Sequence, residues 1–370
     1  MVAQLCEKTD APLHRIGLNV NVYVALYCRS RAGSPHPLNE GSEMQKLISA
    51  ILALFAGFAI LKSEAVAEEA IKVGYAIQAH QANMMVLPKF AEKYGLKVDL
   101  VAMRRFPDLQ LALTTHQIDA AVLGYVNIAL LEENNTKNYK VISGVYVAPG
   151  SLVLAADVDS QVKTWKDLEG KSLGTAPNGA IDIVFRAILK QQNVDQSKVK
   201  MVSFGALGPP LLLALKNRDI DGFIAWEPNN ADAVVGKLGV YSHLGLADNP
   251  TKGIQGILVV DEDFSRKNDG AVGKLVHALT DATSHLNSHP DEFAEVAFKG
   301  TGSPLEVLKV ALPQGRLDTN LYQQESEALL DMIFNAGLTK RSTKNAINEH
   351  FDYHWLMAAT GKTRAQLGGL

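Results

Sequence analysis

The sequence predicts an α/β fold built from two similar βαβαβ lobes. Three observations lead there. A stretch recurs: LALTTHQIDAAVLGYVN at Leu111–Asn127 and LALKNRDIDGFIAWEPN at Leu213–Asn229 align in one register, in which Leu-Ala-Leu, Ile-Asp and the closing Asn coincide. Pro107 and Pro209 coincide as well, so two supersecondary units of one design are expected. The predicted strands are continuous apolar runs joined through helices, which marks a parallel sheet covered on both faces. Each half of the chain alternates strand and helix in the same order.

The elements follow in order. Ile71–Tyr75 (IKVGY) is a strand, Met84–Tyr94 a helix and Lys97–Met103 a strand. A helix opens at Pro107, where a missing N–H costs nothing, and ends near His116. Ile118–Leu123 closes the first unit, and Lys140–Asp157 is an extended crossing. The second unit repeats the order with strand Ser172–Ala176, helix Ala180–Gln192, strand Val199–Phe204, a helix from Pro209 to near Arg218, and strand Ile220–Ala225. Gly253–Val260 carries the chain back. Helices over Val272–Ser288, Asp291–Phe298, Pro304–Leu312 and Asn320–Ala336 complete the first lobe and brace its back. Little pattern remains beyond about Leu356, and mobility is expected there. The predicted division is lobe 1 at 68–150 and 258–345, lobe 2 at 151–257, and a C-terminal helix or tail at 346–370.

The amino end has another character. Lys46 precedes an uncharged apolar run from Leu47 to Leu61, and Ala65-Val66-Ala67 is a small-x-small site before Glu68. Those are the parts of a secretory signal at 44–67, and the run is shorter than the roughly 20 residues of a spanning helix. Residues 1–43 form an upstream extension, either because the functional start is Met44 or because the leader is unusually long. Both cysteines, Cys6 and Cys28, lie in it. The predicted exported protein therefore has no disulfide, thiolate metal site or cysteine nucleophile, which suits a bacterial periplasm. Across 370 residues the formal net charge is −3, too small to suggest a nucleic-acid partner. No cofactor, metal site or catalytic residue is expected. His285 with His289, and His350 with His354, have zinc-like spacing but no third ligand, and read as surface histidines.

In open parallel α/β sheets, ligands sit beyond the carboxyl ends of the strands. Tyr75, Gln78 and Gln81 follow the first strand, and Gly124-Tyr125 the last strand of the first unit. Asn178, Gly179 and Ala180 open a helix after SLGTA, where free N–H groups favour anions. Arg104 follows another strand and could supply positive charge. Trp226-Glu227 closes the second unit, and if the lobes face each other these residues line one cleft. Each has a plainer reading. Trp226 could plug an interlobe core, Glu227 could cap the next turn, Asn178 could be an N-cap, Arg104 could be solvated, and the tyrosines could cover the sheet edge.

With IKVGY, LALTTHQIDAAVLGY, TWKDLEGKSLGTAPNGA and LALKNRDIDGFIAWEP in this order, the chain resembles the periplasmic solute-binding proteins of ABC importers. It looks most like the group that binds sulfonates, taurine or nitrate and includes thiamine-pyrimidine binders. The resemblance covers roughly Ile71–Val260. It implies the type II binding-protein fold, closure about a hinge near Gly150 and Gly256, and a periplasmic monomer that captures a small anionic or zwitterionic solute. It also implies a membrane permease with its ATPase as partner. Where sulfonate binders often carry hydroxyl residues, this chain has Asn178-Gly179-Ala180-Ile181, which keeps backbone donors but no side-chain hydroxyl, and the aromatic residues leave room for a larger, flatter aromatic acid or pyrimidine. The rivals are a biosynthetic enzyme of the same fold, whose relatives use a cysteine-rich motif, and a sensor presented to a membrane receptor.

Overall fold

The computed structural model describes residues 69–177, 179–205, 207–246 and 254–370, apart from the side chains of Ile254, Gln255 and Ala346. The predicted extension, the signal segment and Asn178 lie outside the described residues.

Two sheets form. The first is entered through β1 (Glu69–Ala76), α1 (Ala82–Ala91), β2 (Leu96–Met103), α2 (Phe106–Thr114), β3 (Ala120–Leu123), α3 (Tyr125–Glu133) and β4 (Tyr139–Val147). The chain then enters the second sheet through β5 (Ser151–Leu154), a short α4 (Ala156–Asp159), β6 (Ser172–Thr175), α5 (Ala180–Gln191), β7 (Lys200–Ser203), α6 (Pro209–Asn217), β8 (Gly222–Ala225), α7 (Asn229–Val235) and β9 (Val240–Tyr241). It returns along β10 (Ile254–Asp261) to α8 (Glu262–Lys267), α9 (Asp269–Ser288), α10 (Pro290–Thr301), α11 (Leu305–Ala311), β11 (Arg316–Leu317), α12 (Gln323–Asn335), α13 (Lys344–Ile347) and α14 (His354–Thr360).

Strand order shows the repeat as architecture. The first sheet runs β11-β4-β10-β3-β1-β2 and the second β7-β6-β8-β5-β9. In each, three parallel strands keep the same order, β2-β1-β3 and β7-β6-β8. Each trio is then flanked by one antiparallel strand, β10 beside β3 and β5 beside β8. The two crossings are therefore these flanking strands together with β4.

The repeated residues do the same work in both halves. Asp119 Oδ2 accepts the Lys72 N–H at 2.7 Å, and Asp221 Oδ2 accepts the Ser172 N–H at 2.7 Å, so each Ile-Asp ties the last parallel strand to the first. His116 and Arg218 both take left-handed backbone angles where their helices end, with φ of 55° and 64°. A Cβ on Gly74 would lie 2.7 Å from Leu109 Cδ2 and 2.6 Å from Ile118 Cδ1. A Cβ on Gly174 would lie 2.6 Å from Leu211 Cδ1 and 3.0 Å from Ile220 Cδ1. The aligned leucine and isoleucine of each unit thus pack straight onto a glycine in its first strand. Gly174→Val is expected to lower stability by about 1–3 kcal/mol, because the added methyls overfill this contact. Urea unfolding checks it, and an unchanged midpoint would contradict it.

The later helices extend beyond the first sheet. α9 packs on α1, while Ala231 of α7 forms a small apolar cluster with Val307 and Ala311 of α11. α5 touches α3 and α12, and Lys190 Nζ donates to the Ala336 carbonyl at 3.1 Å. Helices attached to one sheet therefore contact helices of the other on two sides.

The C-terminal segment departs from expectation. Leu356 and Leu367 are fully buried, the Leu321 N–H donates to the Leu367 carbonyl at 2.9 Å, and the Gln323 N–H donates to that of Gly368 at 2.7 Å. The segment is docked by scattered anchors rather than by a periodic face. His350 also departs: it is buried beside Glu132 rather than exposed. The other histidines have local partners, His285 with Glu292 and His354 with Asp352 and Asp269. Among the described residues no group of three or more His, Cys, Asp or Glu side chains could hold a metal, and no helix is long and apolar enough to cross a membrane.

Candidate functional site

The carboxyl ends of the parallel strands carry the predicted site residues. At the end of β1, Tyr75 is half-buried, and burial raises its phenol above the ordinary value. The Ala76 N–H donates to Oε1 of the fully buried Gln81 at 3.0 Å. Gln81 Nε2 donates to Gln78 Oε1 at 3.3 Å, and the Tyr146 hydroxyl donates to the same oxygen at 3.1 Å. Two donors on one oxygen assign the Gln78 amide, and its Nε2 has no partner among the described residues. Gln81 is thus a support and Gln78 the group presented. Gly256 makes room for the Tyr146 ring, since a Cβ there would sit 2.1 Å from Tyr146 Cε1. His80 lies under the same ring with centroids 6.4 Å apart. Its imidazole is buried against the Leu312 carbonyl at 3.0 Å, and burial pushes its pKa down.

At the end of β3 the Gly124 N–H donates to Asn127 Oδ1 at 3.1 Å, so Asn127 caps α3. Tyr125 points elsewhere than a solute contact requires. It is 1% exposed, its ring tilts against Phe351 with centroids 6.2 Å apart, and its hydroxyl donates to the Leu321 carbonyl. After β2, Arg104 is exposed, whereas Arg105 is held by Asp108 through two bonds of 2.9 and 2.6 Å.

In the second sheet, Gly179 and Ala180 begin α5, and the Ile183 N–H already donates to the Gly179 carbonyl at 3.1 Å. Asp182 is buried in the first turn and meets Arg186 at 3.1 Å, so this helix start already holds a carboxylate. At the end of β8, Trp226 is half-buried and lies on Gly150. A Cβ at Gly150 would be 2.7 Å from Trp226 Cζ3 and 2.5 Å from Ile181 Cδ1. Gly150 also has φ of 68°, so the crossing needs glycine for conformation and for space.

Glu227, joined to Pro228 by a cis peptide bond, turns inward. Its Oε1 accepts the Tyr241 hydroxyl at 2.7 Å and its Oε2 the Ala231 N–H at 3.0 Å. Burial raises its pKa from 4.5 to about 7, outweighing those two hydrogen bonds and one with the Asn230 side chain. Because the folded value lies above the unfolded one, the stability it contributes is full below 4.5 and lost as pH rises through 7. Glu227→Gln is expected to gain up to about 3 kcal/mol over the parent at about pH 8 and nothing below about pH 4.5. Melting curves at the two pH values check this, and an equal effect at both would contradict it.

Two residues had no local signal in the sequence. Thr175, the last residue of β6, is fully buried with Oγ1 unpartnered among the described residues. Asn230, just after Glu227, is fully buried with Oδ1 unpartnered. Thr175 stands in its sheet where Tyr75 stands in the first, so the repeat itself was the signal available. The structure brings Trp226 together with Gly150 and Ile181, and Gln78 together with Gln81, Tyr146 and His80. It keeps Tyr125 and Glu227 apart from both groups by giving them internal partners. A cavity of about 360 Å³ lies between α2 and α3, with Gln110, Leu111, Val126 and Asn127 among its walls and Ala180 of α5 at its edge.

Two pseudo-equivalent open sheets, each with three parallel strands flanked by one antiparallel strand, define the type II periplasmic binding protein fold. The sequence profile of the NMT1-like family matches residues 64–299, and the chain belongs to that family. Solved structures agree on the fold. The periplasmic nitrate-binding protein of Synechocystis PCC 6803 superposes with TM-score 0.66 at 14% identity, covering 80% of this chain and 89% of that one. The periplasmic aliphatic sulphonate binding protein of Escherichia coli gives TM-score 0.63 at 16% identity, covering 76% of this chain and 91% of that one. A desulfurization enzyme has the fold too, with TM-score 0.61 at 14% identity over 79% of this chain and 99% of that one. No curated protein sequence matches.

Proposed function

We propose that this chain is the periplasmic solute-binding component of an ABC importer, and that it captures a small anionic or zwitterionic organic compound by closing its two lobes. The lobes are 68–150 with 258–345, and 151–257. The observation that carries the reading is the Trp226 ring seated on Gly150, at the point where the chain crosses between sheets. A half-exposed aromatic ring at a strand end gives a solute an apolar wall, and its seat is the segment that must flex. Tyr75 and Gln78 from the first sheet, with Gly179 and Ala180 backbone groups from the second, complete the proposed contacts. Exposed Arg104 is assigned to the rim. Gln81, Gly124, Tyr125 and Glu227 hold the surrounding backbone. A permease with its ATPase would read the closed form.

The desulfurization enzyme's fold keeps an enzymatic role as the second reading, because the fold alone serves both chemistries. Binding is favoured by where the buried carboxylate points: Glu227 is spent on Tyr241 and Ala231 rather than on a strand-end gap. A thermal-shift screen of the compact unit Glu68–Leu370 against sulfonates, nitrate, aromatic carboxylates and pyrimidines tests the proposal. One class should raise the melting temperature by mass action and be recovered unchanged after long incubation. Turnover of the stabilising compound would favour the enzyme, and no shift with any class would remove the binding role.

A further inference from the structure

We infer that the buried Gln81, which touches no solute, sets the hydrogen-bond polarity of the site: through it Gln78 presents only N–H donors, and the solute meets them with an acceptor. Gln81 is in this sense a positioning residue. The inference rests on the solute-binding reading above and deepens it.

The polarity follows from one backbone group. The Ala76 N–H can only donate, so the Gln81 atom that faces it at 3.0 Å is the carbonyl oxygen. Gln81 is fully buried, and its amide cannot turn without leaving that N–H unpaired. Its Nε2 is therefore directed the other way. It donates to Gln78 Oε1 at 3.3 Å and also meets the Tyr146 hydroxyl. That hydroxyl in turn donates to Gln78 Oε1 at 3.1 Å. Both lone-pair directions of the oxygen are taken, so the Gln78 amide is held with Nε2 outward. Gln78 is half-buried, and among the described residues its Nε2 is neither partnered nor enclosed.

The same residues place that amide beside the crossing between the sheets. The Gln81 N–H donates to the Gln78 carbonyl at 3.0 Å, so Gln78 to Gln81 form one tight turn after β1. His80 of that turn and Ala148 of the crossing both lie against Gly315. A Cβ there would be 2.8 Å from His80 Nε2 and 2.8 Å from Ala148 Cβ. Tyr146, which holds Gln78, pairs with Gly256 on the returning strand. From Tyr146 to Gly150, the seat of Trp226, the chain can span at most about 14 Å. The donor and the aromatic wall therefore flank one short stretch of chain.

The chemistry then selects. A sulfonate, nitrate or carboxylate carries only acceptors at its charged group, and hydrogen bonds to a charged acceptor are the stronger kind. A donor-only group would set N–H against N–H. A glutamate at position 81 would still accept the Ala76 N–H and could accept the Tyr146 hydroxyl. Its second oxygen would require Gln78 Nε2 and so turn the Gln78 oxygen toward the solute.

Calorimetric titration of the full chain with nitrate, ethanesulfonate and benzoate tests this, because none of the three can donate at neutral pH. At least one is expected to bind, and Gln78→Leu should weaken it about tenfold or more. Gln81→Glu should also weaken it about tenfold or more in the parent, and at least about fivefold less on the Gln78→Leu background, where only its charge acts. Melting curves of the unliganded variants check that each folds. A second measurement needs no variant at position 81: the side-chain amide NMR signals of Gln78, assigned by their loss in Gln78→Leu, should move when the anion is added. If Gln78→Leu holds a bound anion as tightly as the parent, if Gln81→Glu costs the same on both backgrounds, or if the Gln78 signals stay in place, this inference fails while the solute-binding reading stands. If none of the three anions binds, the inference fails, and the solute-binding reading fails with it only when the wider screen also finds no ligand.

Discussion

Trp226→Ala is expected to cut the rise in melting temperature that a bound solute produces to less than half, while the unliganded chain still folds. The ring is half-buried and lies against Gly150 and Ile181, so part of its area is available to a ligand and part supports the crossing. Truncating an aromatic anchor in a desolvated site commonly costs about 2 kcal/mol or more of binding, roughly thirtyfold in affinity. At ligand concentrations near 100 times the parent Kd, stabilisation of about 2.7 kcal/mol would fall to less than half. Trp226→Phe retains a ring and should recover part of the shift. If Trp226→Ala shows the parent's full ligand response, the solute lies elsewhere.

Glu132→Ala should cause the largest loss of stability among single substitutions outside the site. Glu132 is 1% exposed at the end of α3. It accepts the Tyr139 hydroxyl at 2.6 Å, lies 3.1 Å from His350 Nε2, and pairs with Lys137. His350 stacks on Tyr139 with centroids 4.1 Å apart, and its Nδ1 is 2.9 Å from the Tyr139 carbonyl. Burial alone would raise the Glu132 pKa, but hydrogen bonds from His350, Lys137 and Tyr139 outweigh it and hold the value at about 2. The stabilisation is therefore present above 4.5 and is lost as pH falls through 2. Removing the carboxylate from such a buried cluster costs about 3–5 kcal/mol, since Tyr139 and His350 stay buried without compensation while Lys137 is half exposed. Urea unfolding at neutral pH measures the loss. The first consequence should be release of the segment around His350, which this cluster fastens to the first sheet. A loss below about 1 kcal/mol would show that the partners find replacements.

The sheets were legible in the sequence because both halves carry the same apolar runs, and the aligned Leu109 and Leu211, Ile118 and Ile220, and Asp119 and Asp221 have equivalent roles in the structure. The helices after β10 were legible from their periodicity. The C-terminal dock was not, since Leu356 and Leu367 are isolated anchors whose partners, such as Leu321, are supplied by tertiary packing. His350 was misread for the same reason, because Glu132 lies more than two hundred positions away. At the strand ends the sequence placed these residues beyond the strands but gave no directions for their side chains. Tyr125 is drawn into the core by Leu321 and Phe351, and Glu227 by Tyr241. Thr175 escaped notice because a lone hydroxyl in an apolar strand has no local signature. Only its equivalence with Tyr75 singles it out.

Closure of the lobes on a solute is the central claim, and one distance tests it. Leu111 and Leu213 are equivalent residues on α2 and α6, 62% and 56% exposed. Both cysteines of the chain precede Met44, so Leu111→Cys with Leu213→Cys in the unit Glu68–Leu370 gives two unique attachment points for spin labels. Addition of a solute identified by thermal shift should shorten and narrow the distance distribution between them. A solute that binds calorimetrically while that distribution stays unchanged would contradict capture by closure.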